Sequence, residues 1–464
     1  MKVRSYRDYL LIILLIALVF NNLDRFALGL VIQNIKHEFV LSDTQIGLLT
    51  GIAFAMFYSV MGIPIARWAD RGNRVTILSL TTALWCGAVA LCGLAGSFVQ
   101  LLLVRIGVGV GEAGCLPTAH SLIADHFSRA ERPRAVGRYM LGGPLGMVVA
   151  YLLAGWINEL YGWRITFIVL GLPGLLLALL IRVSLREPRT ENRTAGVGLP
   201  AHPTMQIAAL APLGFKEVYR FLWRNATFRH LTLYFSVVAF FGYGISQWKP
   251  AFFIRTYGLQ TGEVGTWFAL CYGVAGIVGT YLGGAWASRF AADNERLQLQ
   301  AMAAATCGFA VVSACVYIAP NYYLAFALMA FASIGNAAVL GPLFASIQTL
   351  IPERMRAMAI ATIYLLANLI GMGLGPLGVG ALSDALATHF GNDSLRVALL
   401  ALCPGYFWAA LHLWNGSRTI GRDLAMMREH RGGAAMVRAN DGPSGTVTMA
   451  PHAPDGSGLT TSRP

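Results

Sequence analysis

Twelve apolar runs, each near the twenty or so residues a helix needs to cross the hydrocarbon core of a bilayer, dominate this chain and leave few alternatives for its fold. They fall at 9–31, 44–66, 75–96, 98–123, 135–157, 164–183, 229–250, 262–286, 300–319, 322–350, 357–383 and 396–415. Only a helix satisfies every backbone polar group within such a run, so the expectation is an all-α integral membrane protein with twelve transmembrane helices. Composition argues against the soluble alternative. Of 464 residues, 56% are hydrophobic and 12% charged, where a soluble domain carries roughly 25% charged residues. The first run is too long for a secretory leader and carries Asp24-Arg25 where a cleavage region would lie, so it reads as a helix of the mature protein.

The loops then set an orientation. With the N-terminus on the cytoplasmic side, 28 of the 35 Lys and Arg residues fall on that side, and Lys36, Arg164, Lys249, Arg255 and Arg396 on the other, leaving Arg25 and Arg105 inside spans. That asymmetry predicts both termini in the cytoplasm. The net charge of +13 is spread over short loops, a pattern that suits a membrane surface and not a nucleic acid partner. All seven cysteines sit in apolar runs without metal-ligand spacing, so no metal or cofactor is expected. A membrane enzyme would need a nucleophile with its base or a metal cluster, and the sequence shows neither.

Residues 184–228 divide six spans from six. This linker is rich in Pro, Gly and Arg and contains Phe215-Lys216-Glu217-Val218-Tyr219-Arg220-Phe221-Leu222, whose alternating basic and apolar residues suit an interfacial helix. The organisation is therefore a first six-helix bundle at 1–183, the linker, a second bundle at 229–418, and a disordered cytoplasmic tail at 419–464 that could hold a short basic helix through Arg422, Arg428 and Arg431. The halves echo each other. Trp68-Ala69-Asp70-Arg71 is answered by Trp286-Ala287-Ser288-Arg289, Arg132-Pro133-Arg134-Ala135 by Arg354-Met355-Arg356-Ala357, and Gly143-Pro144-Leu145-Gly146 by Gly375-Pro376-Leu377-Gly378. Two pseudo-symmetric bundles are the architecture in which a central site opens alternately to either side.

A charged side chain at mid-bilayer costs a few kcal/mol or more and so marks a pathway by default. Asp24, Arg25, Arg105 and Glu112 meet that description. Arg105 and Glu112 are two turns apart on one face of the fourth span; Asp24 and Arg25 are adjacent, so they point differently, one toward the cavity and the other toward a neighbouring helix. A buried ion-pair lock is the structural alternative, but the second half lacks matching charges, offering Asn336 where Glu112 would be. With both acids ionised the four groups sum to zero. With both protonated, two guanidinium groups are free to grip a phosphate or carboxylate. Asp24 and Glu112 are therefore the candidate proton-coupling acids, and Arg25 and Arg105 the candidate anion ligands. Phe240, Phe241, Tyr243, Trp248 and Tyr272 are candidates for an apolar wall, with Phe240, Tyr243 and Trp248 assigned to substrate. His120 is read as a packing residue that could relay protons. Gly109-Val110-Gly111-Glu112-Ala113-Gly114 matches Gly-x-Gly-x-x-Gly but lies inside an apolar span, not between a strand and a helix, which argues against dinucleotide binding. Small residues four apart (Gly107/Gly111, Gly142/Gly146, Gly279/Gly283, Gly371/Gly375) suit close helix contact and smooth seams for rocking.

The Asp-Arg after the second span, with its weaker copy after the eighth, resembles the major facilitator superfamily over residues 8–418. Asn21-Asn22-Leu23-Asp24-Arg25, Leu41-Ser42-Asp43-Thr44-Gln45-Ile46-Gly47-Leu48-Leu49, Arg105 with Gly107-Val108-Gly109-Val110-Gly111-Glu112-Ala113, Ala124-Asp125-His126-Phe127, Leu185-Arg186-Glu187-Pro188, and Trp248-Lys249-Pro250 with Arg255 are similar to its spinster branch. The resemblance implies a secondary transporter of anionic amphiphiles such as lysophospholipids or sphingosine-1-phosphate, proton-coupled, monomeric, surrounded by lipid, and in the inner membrane of a bacterium. It also implies a gating latch at Asp70 and Arg71. Organic-anion symporters of the same superfamily share Asp-Arg in the first span and a Gly-rich stretch with Glu in the fourth, so a small organic anion or drug is the alternative cargo.

Overall fold

The structure is a computed structural model that describes residues 3–128, 130–188, 215–290, 294–352 and 355–440. The linker stretch 189–214, Arg354 of the second repeat and the tail 441–464 lie outside the described residues. Among those described the chain is helical, without strands. The first half comprises α1 (Val3–Phe39), α2 (Asp43–Thr50), α3 (Ile52–Arg71), α4 (Arg74–Cys92), α5 (Phe98–Glu112), α6 (Cys115–His126), α7 (Arg132–Met140) and α8 (Gly142–Ser184). The second comprises α9 (Phe215–Arg224), α10 (Ala226–Tyr257), α11 (Thr261–Phe290), α12 (Glu295–Ile318), α13 (Tyr322–Leu350), α14 (Arg356–Leu366), a π-helical stretch Ala367–Leu374, α15 (Gly375–Phe390), α16 (Ser394–Leu402) and α17 (Gly405–Asn440).

Among the described residues, nine segments are long and apolar enough to cross a membrane. Two of these, Arg134–Ser184 with 51 residues and Met358–Met426 with 69, are each long enough for two crossings, and α10, with 32 residues, is long enough for a further one, which is consistent with the twelve passes expected. The turn inside α8 falls at Gly162, whose φ of +81° is a conformation only glycine adopts without strain. The second and fourth passes are each broken in two. Gly51 separates α2 from α3, and Ala113-Gly114 separates α5 from α6 just after Glu112.

Helices overrun the apolar runs at several ends. The last one continues through Asn440, beyond residue 419, where the tail is expected to begin. Ile420 and Leu424 are one turn apart and buried against the second half, and Asp423 accepts the backbone N–H of Thr227 at 2.8 Å.

The two halves meet at the end of the bundle opposite the linker, the far end. There α8 lies against α11 with backbone almost touching backbone at Gly155 and Gly265. Asn158 Nδ2 donates to Thr261 Oγ1 at 3.1 Å, and the Gly262 N–H donates to Glu159 at 2.8 Å. Arg255 of α10 reaches Asp43 of α2 and Gln33 of α1, and Asp384 of α15 takes the backbone N–H groups of Asp43 and Thr44. The four glycine pairs expected to form rocking seams do a different job: Gly111 packs on Trp85, Gly142 and Gly146 on α1, Gly279 and Gly283 on α13, and Gly371 and Gly375 on α10. All of these are contacts within one half, so they knit each bundle into a body. The contact between the two halves uses other small residues, Gly155, Gly262 and Gly265.

At the linker end the first half is tied internally. Arg74, fully buried at the start of α4, makes salt bridges with Glu187 and with Asp125 (2.6 Å), and its own N–H donates to Glu187 at 2.6 Å. Asp70 and Arg71 are exposed on the last turn of α3.

Candidate functional site

The four intramembrane charges come together as two crossed ion pairs between α1 and α5. Arg105 Nη1 donates to Asp24 Oδ2 at 2.6 Å. Arg25 engages Glu112 through Nε at 2.8 Å and through Nη2 as well. Both residues of α1 thus reach the same neighbour, where adjacency had suggested that they would diverge. Arg25 reaches across to Glu112 and Arg105 reaches back to Asp24, so two long guanidinium side chains from opposite helices span the roughly 10 Å of axis between residues seven positions apart. Phe54 is the floor: the guanidinium carbons of Arg25 and Arg105 lie 4.7 and 5.3 Å from its ring centre, and Tyr58 stacks beside it under Arg25. Such cation–π contacts stabilise guanidinium groups already removed from water. A glycine at 109 lets α5 approach, since a side chain there would meet the Phe54 carbonyl at 2.8 Å.

Asp24, Arg105 and Glu112 are almost fully buried, and only Arg25 keeps solvent contact, with 22% of its side chain exposed. Each acid has one committed oxygen and one idle one: Asp24 Oδ1 and Glu112 Oε1 are buried with no hydrogen-bond donor.

A cavity of about 460 Å³ lies beside this network, mostly within the second half. Its walls come from α10 to α14, the π-helical stretch and Tyr406 of α17, with Phe26, Met147 and Tyr151 completing it from the first half. None of the four charges lines it. Tyr243 and Tyr272 do. Phe240 and Trp248 do not: Phe240 packs on Phe241 and against Gly378, and Trp248 is fully buried, donating its indole N–H to the Pro376 carbonyl at 2.9 Å. Both of these side chains pack against neighbouring helices in this structure. Asn336, expected opposite Glu112, does line the cavity. His120 packs edge-on against Tyr139, 5.5 Å between ring centres.

Lys249, counted by its place in the sequence among the far-side loop charges, is inside the bundle. It is 7% exposed, lines the cavity, and its ammonium donates to the Tyr272 hydroxyl at 3.2 Å. The signal that could have found it is the length of α10, which runs on for two turns beyond it to Tyr257.

The profile of the Major Facilitator Superfamily matches residues 14–376. The chain belongs to that superfamily. Within it, the spinster-like branch is indicated by a solved structure of a bacterial homologue of the human lysosomal transporter Spinster, captured inward-facing and unoccupied. That structure is 31% identical, has a TM-score of 0.77, and covers 90% of this chain and 98% of its own. A Mycolicibacterium smegmatis protein described as an MFS-type efflux pump is 31% identical over 407 residues, 87% of this chain and 91% of its own length. A probable L-galactonate transporter of Escherichia coli is 29% identical over 279 residues, 60% of this chain and 61% of its own length. This superfamily protein is therefore a multi-pass membrane transporter of the spinster-like branch, with relatives that carry organic anions.

Proposed function

We propose that the protein is a proton-coupled secondary transporter of an organic anion with an amphipathic body, working by alternating access in a bacterial inner membrane with both termini cytoplasmic. With Lys249 moved inside the bundle, the distribution of 28 basic residues on the linker side against Lys36, Arg164, Arg255 and Arg396 on the other supports that orientation. On it, the sealed far end and the cavity make this an inward-facing form.

The observation that carries the reading is the crossed pair of ion pairs with one idle oxygen on each acid. With Asp24 and Glu112 ionised, each guanidinium is neutralised internally. A proton taken up on the idle oxygen of Glu112 removes the charge that holds Arg25, the one member open to solvent, and so weakens that pair. The site then carries a net positive charge beside the cavity, and an anion entering restores neutrality. Leaving in the reverse order couples the two fluxes. Asp70 and Arg71 act as the cytoplasmic latch that closes the linker end in the opposite state.

The test is uptake into proteoliposomes of a lysophospholipid, a sphingoid phosphate and L-galactonate, with and without a pH gradient. Glu112→Gln should abolish the response to the gradient while counter-flow exchange persists. Undiminished proton-driven uptake in that variant overturns the assignment. The 31% identity to an efflux pump favours a second reading, outward export of small organic anions or drugs, and the sign of the gradient that drives flux separates the two.

A further inference from the structure

Resting on the anion-transport reading above, we infer that Lys249 is the anchor for the anionic head of the cargo, at the blind end of a long aromatic slot, so that cargo and proton are held in different halves of the protein.

Lys249 is the one charged residue among those lining the cavity. It makes no ion pair among the described residues; its recorded partner is the neutral Tyr272 hydroxyl. A buried ammonium in a spanning helix is costly without a counter-charge, and here no side chain of the cavity wall supplies one. The other cations near the middle of the bundle, Arg25 and Arg105, are already taken by Glu112 and Asp24. An anion entering the cavity thus meets one cation free of a carboxylate.

The surroundings fit a head-and-body ligand. Because the ammonium donates to the Tyr272 oxygen, it keeps two N–H groups, and the tyrosine keeps its own O–H, which makes a clamp of donors at one point. Along α10 the cavity runs from Tyr234 to Lys249, fifteen residues or about 22 Å of helix. Its walls there include Phe235, Phe309, Tyr364 and Tyr406, with Asn336 and Asn368 as neutral polar groups. Beyond Lys249 the way is shut by Trp248 on Pro376 and by Arg255 on Asp43. An elongated monoanion with an apolar body suits this slot. A sugar acid does not, since its hydroxyls would lose water against aromatic walls with few partners.

The experiment measures binding to detergent-purified protein, with no gradient, of 6-phenylhexanoate, its neutral amide 6-phenylhexanamide, and L-galactonate. Wild type should bind the carboxylate at least about tenfold more tightly than the amide, as a charge-assisted contact implies, and more tightly than L-galactonate. Lys249→Met should erase the carboxylate–amide difference without weakening amide binding, and Lys249→Arg should keep it. Amide binding doubles as the control for a folded cavity. Two results overturn the inference: wild type with no preference for the carboxylate, or Lys249→Met with the preference intact. Equal binding of L-galactonate removes the apolar-body part. Because these arms need no proton flux, loss of pH-driven uptake in wild-type proteoliposomes would sink the coupling reading and leave the anchor standing.

Discussion

Arg255 holds both oxygens of Asp43, with Nη2 2.6 Å from Oδ1 and Nη1 2.8 Å from Oδ2, so a guanidinium of the second half grips a carboxylate of the first. Asp43 is the hub of the far end: Lys36 reaches the same Oδ1 at 2.5 Å and the Ser383 hydroxyl donates to Oδ2 at 2.7 Å. A two-pronged contact of this kind is broken all at once when the halves part, which makes it a latch and not a hinge.

Asp43→Asn should weaken that latch by about 2 kcal/mol, roughly thirtyfold in the balance between states. Spin labels at the exposed far-end positions Val40 and His389 should then report a longer distance and a second population. An unchanged distance distribution would mean that the backbone seam, not the ion pair, holds this end shut.

Asp24 and Arg105 are each about 1–2% exposed and pair at 2.6 Å. Removing one partner strands a charge, so Asp24→Asn or Arg105→Met alone should lower stability by about 3–5 kcal/mol. The double variant should recover most of that. Thermal unfolding in detergent measures the cycle; strictly additive losses would show that the two residues do not act as a pair.

The linker end holds a charge with structural partners and another that we propose as a gate. Glu187 both caps the start of α4 and neutralises buried Arg74, so Glu187→Ala should cost about 3 kcal/mol and lower the melting temperature. Asp70 is exposed, and Asp70→Asn should leave the melting temperature nearly unchanged while raising the accessibility of a cysteine introduced at the cytoplasmic mouth. If Asp70→Asn instead destabilises and leaves accessibility alone, the latch reading fails.

The twelve passes were legible because length and apolarity alone select them, and the intramembrane charges because their burial cost makes them conspicuous. Partnering was not legible. Whether Asp24 and Arg25 diverge or converge depends on where α5 lies, which no local pattern encodes. Lys249 was missed for a related reason: the apolar run stops near residue 250, so the lysine looks terminal, whereas helix α10 continues to Tyr257 and carries it inside. Its neighbour Trp248 shows the converse. One residue around the helix is a turn of about 100°, enough to put the tryptophan into the seam with α15 while the lysine faces the cavity.

That same dependence on neighbours sorts the glycines. A side chain at Gly265 would stand 2.2 Å from the Tyr151 carbonyl oxygen, across the seam between the halves, whereas one at Gly279 would stand 2.3 Å from the Ile334 carbonyl, inside the second half. Both clashes are with backbone, so neither is relieved by a rotamer change. The consequences should differ. In Gly265→Ala the two bodies can separate as units, which opens the far end, biases the transporter outward, and leaves the melting temperature within a few degrees of wild type. In Gly279→Ala nothing rigid can move away, and the helices α11 and α13 must part, costing about 1–3 kcal/mol of stability. Hydrogen exchange at the start of α11 should therefore rise in Gly265→Ala with α13 unaffected, and rise along both helices in Gly279→Ala. Identical exchange patterns in the two variants would show that the seam at Gly155 and Gly265 is part of a single fused body and that rocking does not occur there.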